Sequence, residues 1–321
     1  MRSKLFLLLA AAIYALGFSP ASADWPERPI KIIVPFVAGG SSDTLARILA
    51  EGMREKLGQT VVVENRPGGN SSIGMSAIAQ APADGYTLIQ GHLGTHAVTP
   101  AITPPVGYDP AKTFVTVTIP ATSASVLVVR VNAGINSLKD LIELAKTKPG
   151  ALNYGSPGIG SPSHMAVVQL ATLSGIKVTH VAYRGNAAAV TDMLNGTLDY
   201  MFASPAEVLQ FVKDGKFKAL ATTGAGRSAA TPDVPTVGEV VSGYDFRMWH
   251  VLSVRADTAP EIIGRLQKAA TEITMSDAFK ARLEALGLDA STAKPAEADA
   301  FVKAEIVKWN KIVKDAGIKA E

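Results

Sequence analysis

Residues 30–47 read Ile-Lys-Ile-Ile-Val-Pro-Phe-Val-Ala-Gly-Gly-Ser-Ser-Asp-Thr-Leu-Ala-Arg, and the change of pattern within them sets the fold class. Ile30 to Pro35 is a short, β-branched apolar run that predicts a buried strand. From Asp43 to Leu57 the apolar residues Leu45, Ile48, Leu49, Met53 and Leu57 recur at helical spacing. Between them Gly39-Gly40-Ser41-Ser42 turns the chain, with Ser42 as the predicted N-cap and Asp43 suited to the positive end of the helix dipole. A strand, a glycine turn and a capped helix gather several backbone N–H groups at one point, which suits an anion. No lysine or arginine lies between Phe36 and Ser42, so an anion here would be held by backbone and hydroxyl donors. The candidate contacts are Phe36, Val37, Gly39, Gly40 and Ser41. Any α/β domain has such turns, and one alone does not define a site.

Upstream, Arg2 and Lys4 precede an apolar run from Leu5 to Leu16, followed by Ala21-Ser22-Ala23. This is the three-part pattern of a secretory signal cleaved after Ala23, and its apolar run is too short to anchor the chain in a bilayer. A soluble, exported product is expected. The chain has no cysteine, so no disulfide framework supports it and the core must suffice. Losing Arg2 and Lys4 takes Lys+Arg from 31 to 29 against 28 Asp+Glu, a net charge of +1. With no clustered basic stripe, nucleic acid is not an expected partner. The remaining length favours two lobes.

Downstream, Thr60 to Asn65 predicts a second strand, Arg66-Pro67-Gly68-Gly69-Asn70-Ser71-Ser72 a glycine-rich turn, Ile73 to Gln80 a short helix and Tyr86 to Gln90 a third strand. This alternation implies a mostly parallel sheet, with ligands beyond the carboxyl ends of its strands. Asn70 and Ser71 on the turn, and His92, Thr95 and His96 after the third strand, join the candidates. His92 and His96 lack a third metal ligand nearby, so no metal is expected. Two extended segments, 114–119 and 125–131, follow with no long helix between them. Alternation then resumes, with helices expected over 138–146, 163–174, 187–194 and 205–213 and strands over 152–155, 180–182, 200–203 and 219–223. A long extended run, Phe246 to Val254, precedes helices at 260–274, 277–286 and 295–315. We read this as lobe 1 (24–122 and 248–321) and lobe 2 (123–247), joined by two crossings, with the last helices packing back on lobe 1 and a cleft able to hinge shut.

Lobe 2 repeats the logic of lobe 1. In Asn153-Tyr154-Gly155-Ser156-Pro157-Gly158-Ile159-Gly160-Ser161-Pro162-Ser163-His164 a strand again leads through a glycine turn into a helix capped by Ser161 or Ser163. Two such turns at one cleft resemble a clamp on an anion, which adds Ser156, Gly158, Ile159, Gly160, Ser161 and His164 to the candidates. His164 faces either the core or the cleft. Arg66 and Arg184 stand at the cleft edge, to meet a distal carboxylate or to hold loops. Ala203 and Ser204, where the strand at 200–203 ends, complete the candidate contacts. Lys303, Lys308, Lys311 and Lys314 with Glu305 read as a solvated helix face, Trp249 as hinge packing and Trp309 as a core anchor.

The chain resembles the tripartite tricarboxylate transporter substrate-binding proteins, also known as Bordetella uptake gene receptors. The likeness rests on Trp25-Pro26-Glu27-Arg28-Pro29-Ile30, on Val34-Pro35-Phe36 with Gly39-Gly40 and Asp43, and on Val63-Glu64-Asn65-Arg66-Pro67-Gly68. It continues through Ala83-Asp84-Gly85-Tyr86-Thr87-Leu88, Leu152 to Ser156 with His164, His180-Val181-Ala182-Tyr183-Arg184-Gly185, Pro232-Asp233-Val234-Pro235-Thr236, and Glu305 with Lys308-Trp309. The resemblance implies an α/β type II periplasmic-binding-protein fold that closes on a small di-, tri- or aromatic carboxylate. It also implies delivery to membrane permease subunits, a periplasmic location, a monomer, no cofactor and no catalysis. A sensor kinase as the partner, or an enzyme on a reused fold, are the alternatives. The chain departs from the family's pattern at Gly69-Asn70-Ser71-Ser72 and at Asn186-Ala187-Ala188-Ala189, where a usual proline is missing. Ala203-Ser204-Pro205 carries no charge to hold a ligand ammonium, which favours acids without an amino group.

Overall fold

The computed structural model describes residues 25–103, 106–224, 226–227 and 231–319; the expected leader lies outside them. The opening stretch folds as β1 (Ile30–Val34), interior except for Lys31, and α1 (Ser41–Leu57), which buries Leu45, Ile48, Leu49 and Met53. Then come β2 (Val61–Asn65), α2 (Ser72–Ala79) and β3 (Thr87–His92), with β1 parallel to both other strands. A π-helical turn at Gly94–Val98 leads into α3 (Thr99–Ile102) and α4 (Pro110–Thr113), then β4 (Phe114–Thr118) and β5 (Ala121–Ser123).

The chain enters a second sheet with β6 (Val126–Arg130). It continues through α5 (Leu138–Thr147), β7 (Asn153–Ser156), α6 (Pro162–Ser174), β8 (Thr179–Ala182) and α7 (Asn186–Asn195). β9 (Tyr200–Ala203), α8 (Pro205–Lys213) and β10 (Phe217–Thr222) complete this part. The chain returns to the first sheet as β11 (Met248–Arg255), followed by α9 (Pro260–Thr274), α10 (Asp277–Glu284), β12 (Asp289–Ala290) and α11 (Pro295–Asp315). The sheet orders are β12-β5-β11-β3-β1-β2, with β4 also on β11, and β10-β6-β9-β7-β8.

The expected parallel sheet holds only in the blocks β2-β1-β3 and β9-β7-β8. β11 runs antiparallel to β3, β4 and β5, and β6 antiparallel to β9 and β10. The reason is connectivity: a strand returning from the other sheet enters from the opposite end, whereas a βα unit brings the chain back to the same end.

One apolar core joins both sheets, with Leu127, Tyr154 and Phe202 of the second packed in the same cluster as Val98, Ile102, Trp249 and Trp309. The solvated face expected on the last helix holds for Lys303, Lys311 and Lys314, which are exposed, but not for Glu305. Glu305 is buried, and its Oε2 accepts from Trp249 Nε1 at 3.1 Å and Trp309 Nε1 at 2.9 Å, while Oε1 accepts from Lys308 Nζ at 2.9 Å. The i, i+4 spacing of Glu305 and Trp309 puts both on one face of α11. Trp249 and Trp309 are fully buried, each contributing about 2–3 kcal/mol of apolar burial.

Candidate functional site

The first turn is closed by its own aspartate. Gly39 N–H donates to Asp43 Oδ2 at 2.9 Å, and the buried Asp43 carboxylate also accepts two bonds from Arg47 and one from Asn65 Nδ2, all at 3.0 Å. Burial opposes its ionisation, but these donors outweigh it and hold its pKa below the ordinary value. Ser42 is not the N-cap. Gly40 occupies that position in extended conformation and no side chain caps the helix, so Asp43 braces the turn rather than only complementing the dipole. The first intrahelical bond of α1 is Thr44 N–H to Gly40 C=O, which leaves the N–H groups of Ser41, Ser42 and Asp43 without an intrahelical acceptor. Phe36 beside them stacks on the His92 ring at 4.4 Å.

The second turn is braced by Ser156 and His164. Ser156 is fully buried; its Oγ lies 2.7 Å from His180 Nε2 and accepts from Gly158 N–H and Ser161 Oγ–H, each at 3.2 Å. Ser161 is the cap, accepting from His164 N–H at 3.3 Å. His164 Nδ1 accepts from Gly160 N–H at 3.3 Å. Its buried ring is stacked near Tyr154 and packed against His180, and burial first, then His180, lowers its pKa to about 4. It is therefore a neutral brace on the core side. Gly160 adopts φ +78°, and a Cβ there would meet Ile102 Cδ1 at 2.9 Å, so this turn sits directly against α3 of the first sheet's half.

The two turns share a cleft of about 370 Å³. Ser41 enters its wall from α1, and Pro157, Pro162 and Ser163 from the second turn. Asn186, Ser204 and Glu207 come from the second sheet's helices, Met248 and His250 from β11. Glu207, in the first turn of α8 just beyond the uncharged Ala203-Ser204-Pro205, is the one Asp, Glu, Lys or Arg side chain in that wall among the described residues. Its Oε2 accepts from Ser204 N–H at 2.9 Å and Oγ–H at 2.8 Å.

Other predicted residues lie elsewhere. Thr95, His96 and Ala203 are buried beneath the surface; His96 sits between Thr95 Oγ1 at 2.8 Å and Ser253 Oγ at 3.2 Å. His92 Nδ1 accepts from Gly94 N–H at 2.9 Å. Burial lowers the pKa of His92 and His96 to about 3. Val37 and Arg184 are exposed. Asn70 and Ser71 hold φ of +50° and +71°, and the Ser71 hydroxyl donates to the Asn70 carbonyl, so this turn is bound to itself. The sequence reading missed His250, Asn186 and Glu207. A polar residue inside the apolar run Met248 to Leu252 signals the first, and the departure at 186–189 signals the second.

Comparison with known proteins follows the same line. The chain is 32% identical over 323 residues to the protein BugT of Bordetella pertussis, covering 99% of this chain and 98% of that one. It shares 33% identity and a TM-score of 0.76 with Rpa4515 of R. palustris, solved with adipate, over 92% of this chain and 99% of that one. MatC of Rhodopseudomonas palustris, solved with bound malate, shows 29% identity and a TM-score of 0.73 over 90% and 100%. The two-lobed α/β architecture is thus the periplasmic-binding-protein fold. With the tripartite tricarboxylate transporter family receptor model matching residues 45–318, the chain belongs to that family of receptors.

Proposed function

We propose that this receptor binds a small carboxylate in the cleft between lobe 1 (24–122 and 248–321) and lobe 2 (123–247), in the periplasm, and delivers it to the membrane subunits of a tripartite tricarboxylate-type permease. The observation that carries the reading is that Ser41, at the open end of α1, and Pro162-Ser163, at the start of α6, line one cleft. The N–H groups of Ser41, Ser42 and Asp43 on α1 and that of Ser163 on α6, with the dipoles of both helices, then face one anion from opposite sides. Each hydrogen bond to the charged carboxylate contributes about 1.5–3 kcal/mol, so a few suffice without a lysine or arginine. Phe36, Gly40, Ser41, Gly158, Ser161 and Ser204 are the proposed contacts or turn-formers. Binding by relatives solved with adipate and malate supports this chemistry.

Ser156 Oγ and His180 Nε2 stand at nucleophile–base distance. Ser156 is without exposure and its oxygen already accepts from Gly158 and Ser161, which favours a bracing role over acyl transfer.

The test is isothermal titration of ligand-stripped mature protein with aliphatic di- and tricarboxylates and aromatic acids. Micromolar or tighter binding by one class, at a stoichiometry of one, is expected. Folded protein that binds none of them refutes the reading. Loss of labelled uptake of that acid in a strain lacking the receptor, with the permease constitutively expressed, separates delivery from sensing.

A further inference from the structure

Glu207 fixes which way round the Asn186 amide lies. Asn186 Nδ2 donates to Glu207 Oε1 at 2.9 Å and Oε2 at 2.8 Å. An ionised carboxylate only accepts, so the NH₂ end must face it and Oδ1 must point away. That Oδ1 is buried and receives no hydrogen bond. On the other sheet His250 is 2% exposed, and its Nδ1 is likewise buried without a partner. Both residues line the cleft, and buried polar groups left unmade in a native protein call for an occupant. Burial keeps the His250 imidazole neutral, with its pKa lowered to about 4, so one ring nitrogen carries a hydrogen and the other a lone pair.

Charge narrows the choice of occupant. Glu207 carries the one formal charge in the cleft wall among the described residues. A second ligand carboxylate placed beside it would be repelled, whereas a hydrogen-bond donor there would be favoured. Resting on the carboxylate reading above, we infer that Asn186 and His250 select acids that carry a donor of their own, a hydroxyl or an ammonium. Asn186 Oδ1 accepts the hydrogen of that substituent, and His250 Nδ1–H donates to an oxygen of the ligand. The unsubstituted acid of the same length satisfies His250 and leaves Asn186 unmade.

The experiment is titration calorimetry with matched sets differing only in the substituent: succinate, malate and aspartate; glutarate, 2-hydroxyglutarate and glutamate; benzoate with its hydroxy and amino derivatives. Within the set that binds, a hydroxylated or aminated member is expected to bind at least about tenfold tighter than its parent. The hydroxyl and ammonium arms identify which donor is read. Asn186→Ala should bring substituted and parent acids to within about threefold of each other. His250→Phe should weaken every member of the set together. Equal or tighter binding of the parent acid to wild-type protein overturns the inference and leaves the carboxylate reading standing. No binding by any acid of any set overturns both. Retained discrimination in a folded Asn186→Ala protein overturns the assignment of Asn186.

Discussion

Gly40→Val tests the anion cradle with little disturbance elsewhere. Gly40 has φ −76° and ψ 170°, which any residue adopts, and a Cβ built there has the Val37 carbonyl oxygen as its nearest neighbour at 3.8 Å. The cost to folding comes from the cap, because valine is a poorer N-cap than glycine by about 1 kcal/mol. For a chain of this size that lowers Tm by about 2 °C. The cost to binding is larger. The side chain would stand at the entrance to the free N–H groups of Ser41 and Ser42, and losing two bonds to an anion at about 1.5 kcal/mol each raises Kd about 100-fold. Titration of the variant with the tightest acid, beside a melt without ligand, separates the two effects. An affinity within threefold of wild type, in folded protein, refutes the cradle. Gly160→Val would be a poor substitute: its φ of +78° and the 2.9 Å approach to Ile102 Cδ1 would unsettle the fold before binding was read.

Two further outcomes follow from buried polar groups. Glu305→Leu removes the acceptor of two buried indole N–H groups and the partner of Lys308, and should cost about 3–5 kcal/mol in urea unfolding; a loss under 1 kcal/mol would contradict the clamp. His92 and His96, with pKa values lowered to about 3, and His164 and His250, lowered to about 4, are neutral in the fold, whereas the unfolded chain protonates them below about 6.5. Their contribution is therefore complete above about pH 6.5 and is lost as pH falls, towards about 4 for His164 and His250 and about 3 for His92 and His96, at up to about 1.4 kcal/mol per pH unit for each; a melting temperature that stays level from pH 7.5 to 5 would contradict this.

The lobes and most elements are legible in the sequence because periodicity is local: the alternation from β1 to β10 and the three last helices need only their own residues to be read. What is not legible is long-range. Glu305 looks solvated on a helix rich in lysine, and only the return of β11 brings Trp249 to within 3.1 Å of it. Both glycine turns are visible as sequence, but their braces are not, since Asp43 reads as a dipole partner and His164 is ambiguous until its Nδ1 is found on Gly160 N–H. Asn186 and His250 are 64 residues apart and acquire meaning only when two sheets face each other.

That separation also bears on how the receptor would respond to ligand. Side chains alternate along a strand, so in β11 Trp249 turns into the core against Glu305, while Met248 and His250 line the cleft. His250 and Ser41 thus belong to the first sheet and its helix, and Asn186, Ser204 and Glu207 to the second. A ligand that bonds to Asn186 and His250 together links the two sheets, so the contacts that choose the ligand are the ones that favour the closed arrangement. A ligand shifts a conformational equilibrium only by its differential affinity for the two states. An acid lacking the donor would still meet both helix ends but would forgo the bond to Asn186 and give less drive to closure, so discrimination between acids would be greater in delivery to the permease than in binding. Comparing labelled uptake ratios with Kd ratios for one matched pair checks this, and equal ratios would count against the coupling.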